Sequence, residues 1–530
     1  MLNNLKSYLE SLKVTPLSWL LGVSGVLMVR FFLESLSNPT SSGFFASDAS
    51  TLIHYYLFFM TGFLILLVLL PILLPEWKKL TPQLVALSAV VTLMPPIIDW
   101  LVSGGAGFKM TYLFNGWGQM PVSFLTLGGL SISHGATIGL KIEIGLGLIF
   151  FAILIYFLKK SWWRAVFSAL VIYLAVFILA ELPSIISLGD PINFLQKTFT
   201  DSHTLANNLH GTLLYSGYVR FFEIAFNFLM GKILFLVCTT LLFVWANMNY
   251  KQKLKAILQN FRAERVSAYV LMIFLGILIA YKTFLIPSLN WADWLSIITL
   301  CLSLVFSCLF AICANDMADT DTDKVSNQKR PLISNSLSPE DMKQMGAIFL
   351  LASLISGFLA GYLSFFFILT FTSLYYVYSV PPMRLKLIPF LSSFLISLCM
   401  LTVILAGFFM VSPVKTVSAA SPSLILAVVL IFSLLANVRE MKDVAGDTTA
   451  GIKTIPVLFG EIWGPRIVAI FASVAFLLIP FFSKIYLLFI PAAMTALFSF
   501  YLITKKPYSE KPIDTLYFAF MFISFLLLLI

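Results

Sequence analysis

Two acidic clusters in the second half of the chain hold the residues best suited to chemistry. The first reads Asn315-Asp316-Met317-Ala318-Asp319-Thr320-Asp321-Thr322-Asp323; the second runs from Asn437 to Asp447 and contains Glu440, Asp443 and Asp447. Asp316, Asp319 and Asp323 stand 124 residues before Glu440, Asp443 and Asp447 respectively. Positions i, i+3 and i+7 share one face of a helix, so each cluster is expected to present three carboxylates together. Like charges placed this way repel and destabilise the helix. Divalent cations and a polyanionic ligand held between two such faces would offset that cost. Hard carboxylate oxygens bridged to a diphosphate suit Mg²⁺, and two ions are expected, with Asp316, Asp319, Asp323, Glu440, Asp443 and Asp447 as ligands. Asp316, Asp319, Asp443 and Asp447 are the expected catalytic carboxylates. A pair of merely solvated acidic loops would not explain the shared spacing. Asp321 falls about 200° around the helix from Asp319 and is expected to point away.

A diphosphate would also need cations from the protein. Candidates are Arg330 after the first cluster, Arg384 and Lys386 between the clusters, and Lys453 after the second. Arginine offers a planar fork to phosphate oxygens, lysine a point charge. Each of the four also has the simpler reading of a loop charge that orients the chain in a membrane.

The elements that must position these residues are membrane helices. The chain is 60% hydrophobic and 11% charged, with mean hydropathy +0.96, against about 45–50% and about 25% in soluble domains. Its apolar residues come in blocks of about twenty, the length of a transmembrane helix, and the runs do not alternate as barrel strands would. The expected fold is an all-α, polytopic bundle of fifteen spans. Six of them (17–35, 51–74, 80–102, 136–158, 163–187, 219–247) precede a basic segment at 251–265. Nine follow (267–286, 292–314, 346–362, 364–380, 388–410, 421–437, 465–482, 485–503, 513–530). The division near 248 gives an expected N-terminal six-helix domain, 1–247, and a C-terminal domain, 248–530. The first apolar run holds Arg30 and Glu34 and lacks a convincing cleavage site, so it reads as a retained helix.

Lys and Arg concentrate in alternate loops. By the positive-inside rule that side is cytoplasmic, and it carries the N-terminus and both acidic clusters. The net charge of +10 therefore reflects topology; the bilayer is the expected partner, and no nucleic acid is implied. Cys238, Cys301, Cys308, Cys313 and Cys399 lie in apolar runs without a CxxC pair, which suggests neither disulfides nor a zinc site.

Four stretches in order resemble the UbiA superfamily of intramembrane prenyltransferases, over about residues 255–530. Asn315-Asp316-x-x-Asp319-x-x-x-Asp323 matches its first motif, and Gln328-Lys329-Arg330-Pro331-Leu332 its Arg-Pro turn. Tyr378-Ser379-Val380-Pro381-Pro382-Met383-Arg384-Leu385-Lys386 is similar to its YSxPPxRLK segment. Arg439 to Asp447, continuing to Thr454-Ile455-Pro456-Val457, is similar to its second motif, with Glu440 where Asp is commoner. The resemblance implies a nine-helix bundle and Mg²⁺-dependent transfer of a prenyl group from a polyprenyl diphosphate donor to a hydrophobic or amphipathic acceptor such as a lipid or quinone precursor. It also implies substrate contacts from Asn315, Arg330, Tyr378, Arg384, Lys386 and Lys453. Tyr375, Tyr376 and Tyr378 are candidates to stabilise a carbocation through their π faces, with an interfacial aromatic belt as the plainer reading. The second motif leans toward the lipid, chlorophyll and quinone branches. Phosphoribosyl transfer to a polyprenyl phosphate, or a lipid transporter binding cations without chemistry, remain the alternatives.

Residues 1–247 resemble nothing familiar. His54, His134, His203 and His210 all fall near the expected outer face, without metal-ligand spacing, and read as surface residues. Glu143 and Glu181 sit inside apolar runs, where carboxylates usually line a cavity. Both are therefore functional candidates; the alternative for Glu143 is a local pairing with Lys141, two residues away.

Overall fold

A computed structural model describes residues 2–37, 49–105, 107–108, 110–130, 135–202, 210–286, 288–449 and 451–529. The chain is an all-α, multi-pass membrane protein. Among the described residues there is no strand, and fifteen helices are long and apolar enough to cross a membrane. The chain divides into two compact units, Met1–Tyr250 and Lys251–Ile530.

In the first unit the expected 80–102 span is a string of short helices, Pro75–Leu80, Thr81–Ala89, Val90–Leu93 and Met94–Val102. Pro82, Pro95 and Pro96 explain the breaks, since each removes a backbone donor and crowds the preceding turn. The expected 163–187 span ends at Ala180. There Glu181 leaves the helix, fully buried, and accepts from Asn115 Nδ2 at 2.5 Å. Burial raises its carboxyl above the usual range, opposed by hydrogen bonds from Asn115 and Ser184.

Two expectations for this unit need correction. His54 is not a surface residue: it is buried in the Ala49–Leu73 helix, with Nδ1 2.8 Å from Asn227 Oδ1 and Nε2 2.9 Å from the Tyr112 hydroxyl. Glu143 faces Arg30 at 3.8 Å, while Lys141 donates to the Gly129 carbonyl. Arg30 also lies 4.2 Å from the Phe59 ring centroid and donates to the Thr92 carbonyl. A charge inside a membrane bundle is costly alone, which selects the buried guanidinium as the carboxylate's partner. His134, His203 and the side chain of His210 lie outside the described residues.

The second unit is built from Ala263–Phe284, Trp291–Ala318, Pro339–Ala360, Tyr362–Ser379, Leu391–Val411, Pro422–Ala436, Ile455–Ser483, Phe489–Thr504 and Glu510–Leu529. The Pro339–Ala360 helix starts seven residues before the apolar run does. Ser338 and Asp341 form a capping box there, with Pro339 in the first helical position. Gly361, at φ 144°, separates this helix from the next. The Ile455–Ser483 helix likewise begins before its apolar run and kinks at Gly460, φ 72°.

Small residues set the closest helix approach. A Cβ on Gly276 would stand 1.9 Å from the Ile404 carbonyl oxygen, and one on Gly407 would stand 2.0 Å from that of Ile273. The Ala263–Phe284 and Leu391–Val411 backbones thus touch, as small residues allow in membranes where packing replaces the hydrophobic drive. Elsewhere hydroxyls join helices: Ser303 and Ser353 each donate to the other's carbonyl, at 2.7 and 2.9 Å, and Ser307 reaches Thr372 at 2.8 Å.

Candidate functional site

Each acidic motif ends a membrane helix, and each helix breaks at the middle carboxylate. Trp291–Ala318 stops at Asp319 (φ −104°, ψ 15°) before the short Thr320–Ser326 helix. After Pro422–Ala436, a 3₁₀ turn over Asn437–Lys442 stops at Asp443 (φ −97°, ψ 4°) before Val444–Thr449. The expected single helical face is therefore corrected to a helix, a bridge-region residue and a second helix. Turn hydrogen bonds survive the break: Asp323 N–H donates to the Asp319 carbonyl at 2.9 Å, and Asp447 N–H to that of Asp443 at 2.8 Å. Asp316, Asp319 and Asp323 remain buried together. Asp321 points out, 96% exposed, and pairs with Lys324.

The first motif is held by cations from three other segments. Asp316 accepts from Arg262 at 2.6 Å, Arg330 at 3.0 Å and Asn260 at 2.7 Å. Arg330 also bonds Asp323. Asp319 receives Arg384 at 2.8 Å and Lys386 at 2.5 Å. Arg384 takes a left-handed backbone, φ 41°, immediately before the Leu385–Leu387 turn, and both side chains then converge on one carboxylate. Burial holds the Lys386 ammonium below its usual value, with Asp319 opposing.

The second motif is the more open one. Among the described residues Glu440, Asp443 and Asp447 make no ion pair. The buried Oε2 of Glu440 has no hydrogen-bond partner. The Asp447 carboxyl is pushed up to about 6 by burial and then by Asp443, with Lys386 opposing and Asp319 adding to the rise. Carboxylates from both motifs therefore feel one another.

A cavity of about 1430 Å³ opens from this cluster into the bundle. Its polar end is lined by Asn315, Asp319, Asp323, Arg330, Lys386, Glu440, Asp443 and Asp447, with Tyr375 and Tyr378 on the wall; farther in it is lined by Ile404, Phe408, Val428, Phe476 and Phe525. The structure thus gathers most of the residues singled out from sequence. Asp316 lies behind the wall, covered by its cations, and Arg384 reaches the site only through Asp319. Lys453 is exposed and off the lining. Tyr376 faces outward and stacks on Phe310.

Sequence reasoning passed over Asn260, Arg262, Arg265, Tyr269 and Arg439, all on the cavity lining. The basic segment at 251–265 read as an orientation signal. A polar Asn260-x-Arg262 pair directly before an apolar run was the available clue.

The donor set fits a divalent cation. The orphaned Oε2 of Glu440 and the carboxylates of Asp443 and Asp447, none of them held by a protein cation among the described residues, form an oxygen-rich group on the cavity lining. Among the described residues no three His, Cys, Asp or Glu side chains already converge on one point; the first motif's oxygens are turned to Arg and Lys.

Comparison with known proteins agrees with the motifs. The pattern of the UbiA prenyltransferase family matches residues 266–526. No curated protein matches the chain. Similar solved structures include a UbiA homolog from Archaeoglobus fulgidus bound to GPP and Mg²⁺, at 18% identity and TM-score 0.41, over 52% of this chain and 100% of that one. A structure of digeranylgeranylglyceryl phosphate synthase is similar at 21% identity and TM-score 0.36, over 52% and 97%. An apo UbiA homolog from Aeropyrum pernix K1 is similar at 15% and 0.38, over 49% and 98%. With its paired acidic motifs and the segments between them in order, the second unit, over residues 266–526, belongs to the UbiA prenyltransferase family.

Proposed function

We propose that the second unit catalyses Mg²⁺-dependent transfer of a prenyl group from a polyprenyl diphosphate to an acceptor, and that the first unit is accessory. The observation that carries this reading is the placement of two carboxylate motifs and the Arg330 and Lys386 cations on the lining of one large cavity that continues along an apolar wall of Ile404, Phe408, Val428 and Phe525. The diphosphate sits at the polar end and the prenyl chain extends along Phe408, Val428 and Phe525. Two Mg²⁺ ions, held by Asp319 and Asp323 of the first motif with Glu440, Asp443 and Asp447 of the second, would neutralise the leaving group. Asp316 orients Arg262 and Arg330 at this end.

In the reaction the allylic C–O bond breaks and its electron pair leaves with the diphosphate. Arg330 and Lys386 face the phosphate oxygens, where charge builds as the bond breaks. Tyr375 and Tyr378 line the path of the electron-poor allylic carbon. The acceptor's nucleophilic atom bonds to that carbon and releases a proton. Positive loop charge supports a cytoplasmic position for this end of the cavity.

The test is purified full-length protein with a labelled prenyl diphosphate, membrane lipid extract and Mg²⁺. Diphosphate release coupled to label transfer, both lost with a chelator and restored by Mg²⁺, is the expected result. Label transfer from phosphoribosyl diphosphate instead, or no release from any prenyl donor, would overturn the proposal.

A further inference from the structure

In the first unit, the turn joining the Ile138–Lys159 and Trp162–Ala180 helices reads Lys159-Lys160-Ser161-Trp162-Trp163-Arg164. Its cations are not equivalent. Lys159 donates to Glu76 at 2.8 Å, and the Lys160 ammonium lies over the Phe157 ring, 5.4 Å from its centroid. Arg164 makes no ion pair among the described residues. It lines a cleft of about 260 Å³ where the Leu73 end of the Ala49–Leu73 helix meets both other helices. Buried Ile155 and Ser168 and exposed Ile72 and Phe167 share that lining.

Arg164 and Ser168 stand one turn apart on the same helix face. Ser168 is 5% exposed, and its hydroxyl makes no hydrogen bond among the described residues. A helical serine can turn its hydroxyl back to the carbonyl four residues earlier, and this one does not. A buried hydroxyl left without a partner is costly, so the cleft is short of one polar occupant. A guanidinium beside an open hydroxyl suits phosphate oxygens. Ser161 supplies no side-chain cap, so it leaves the first-turn N–H groups of this helix to other acceptors.

The position of the cleft says what the occupant is. Trp162 and Trp163 are exposed and stacked, with ring centroids 3.7 Å apart. Exposed tryptophans at the start of a membrane span sit at the level of the lipid head groups, and Arg164 follows directly. Basic clefts between membrane helices at this level take anionic lipid heads. Exposed Phe167, Leu170 and Leu174 continue along the helix as an apolar stripe suited to acyl chains. Glu76 lies at the same end and is engaged with Lys159, while Lys160 and Arg164 leave the local charge positive. That charge disfavours the choline of a zwitterionic head.

We propose that this cleft holds the phosphate head of an anionic phospholipid, with Arg164 and Ser168 as its ligands and the chains along Phe167, Leu170 and Leu174. The site lies within the first unit and does not depend on the prenyl-transfer reading.

The experiment combines native mass spectrometry with thermal shift on delipidated full-length protein in detergent. The probes are dioctanoyl phosphatidylglycerol, dioctanoyl phosphatidylcholine, dioctanoylglycerol and inorganic phosphate. Phosphatidylglycerol should add one tightly held copy and raise Tm, as a ligand of the folded state does; the other three should bind more weakly. Arg164→Gln should weaken phosphatidylglycerol by about tenfold and Ser168→Ala by about threefold, the losses expected for a charged and a neutral hydrogen bond. Arg164→Lys should keep part of the affinity. Lys79→Gln removes a charge from the same end but off the cleft, and should stay within about twofold of wild type. Each variant's Tm without lipid reports its folding. Phosphatidylcholine or dioctanoylglycerol binding as tightly as phosphatidylglycerol would overturn the proposal, as would inorganic phosphate doing so, which would mark a free-anion site. A loss in Lys79→Gln equal to that in Arg164→Gln would reduce the site to diffuse charge. Unchanged affinity in both Arg164→Gln and Ser168→Ala would likewise refute it.

Discussion

Asp316→Asn and Asp443→Asn are equivalent by sequence, since each removes a carboxylate from the same motif pattern, yet the structure separates them. Asp316 is 1% exposed and lies between Arg262 and Arg330, themselves only about one-fifth exposed. Neutralising it leaves two largely buried guanidiniums facing an amide. Breaking a buried ion pair from one side costs about 3–5 kcal/mol; partial solvent access to the arginines reduces this to about 3 kcal/mol. At about 2–4 °C per kcal/mol for a domain of this order of size, Tm should fall by about 6–12 °C. Asp443 makes no ion pair among the described residues and is half-buried on the cavity lining. Its amide variant should keep Tm within about 1–2 °C. Its rate should fall by about 10²–10³ or more, the loss typical for one group that stabilises transition-state charge. The assay pairs thermal unfolding in detergent with Mg²⁺-dependent diphosphate release on the same preparation. Equal Tm values for the two variants would refute the account of Asp316 as a held, buried anion. An Asp443→Asn enzyme retaining more than half the wild-type rate would refute its place in the metal site.

Asp321→Asn should leave diphosphate release within about twofold of wild type, because an exposed pair such as Asp321–Lys324 contributes little; a loss matching that of Asp443→Asn would contradict the geometry. Lys386→Ala should raise KM for the donor by about tenfold, more than for the acceptor, since Arg384 still holds Asp319 while a phosphate-facing charge is gone. Steady-state kinetics with each substrate varied in turn decide it, and a change in acceptor KM alone would count against it. Gly407→Leu should abolish the folded, monodisperse protein on size exclusion, because even a Cβ meets the Ile273 carbonyl 2.0 Å away and overpacking by far less costs about 1–3 kcal/mol.

The sequence alone determined the solvent and the element type, and it located the two acidic motifs. Apolar blocks of membrane length specify helices wherever water cannot satisfy the backbone, and fifteen such helices are present among the described residues. The repeated spacing in 316/319/323 and 440/443/447 identified the two carboxylate triads, because ligand chemistry is written in residue type and interval. Helix ends were legible only in part. The Ser338–Asp341 capping box and the Pro75–Pro96 breaks depend on local backbone bonds that a hydropathy run does not register.

Tertiary structure decided which charges meet. Arg262, Arg330, Arg384 and Lys386 come from separate segments, and only folding brings them onto Asp316 and Asp319 while leaving Glu440, Asp443 and Asp447 without ion pairs among the described residues. His54 and Glu143 found Asn227, Tyr112 and Arg30 across the first unit for the same reason: a buried polar group takes whichever partner the packing delivers, not its neighbour in sequence. The close approaches of Gly276 to Ile404 and of Gly407 to Ile273 are likewise properties of helices crossing. Residue type sets what a group needs, and the distance between helices sets whether it is met.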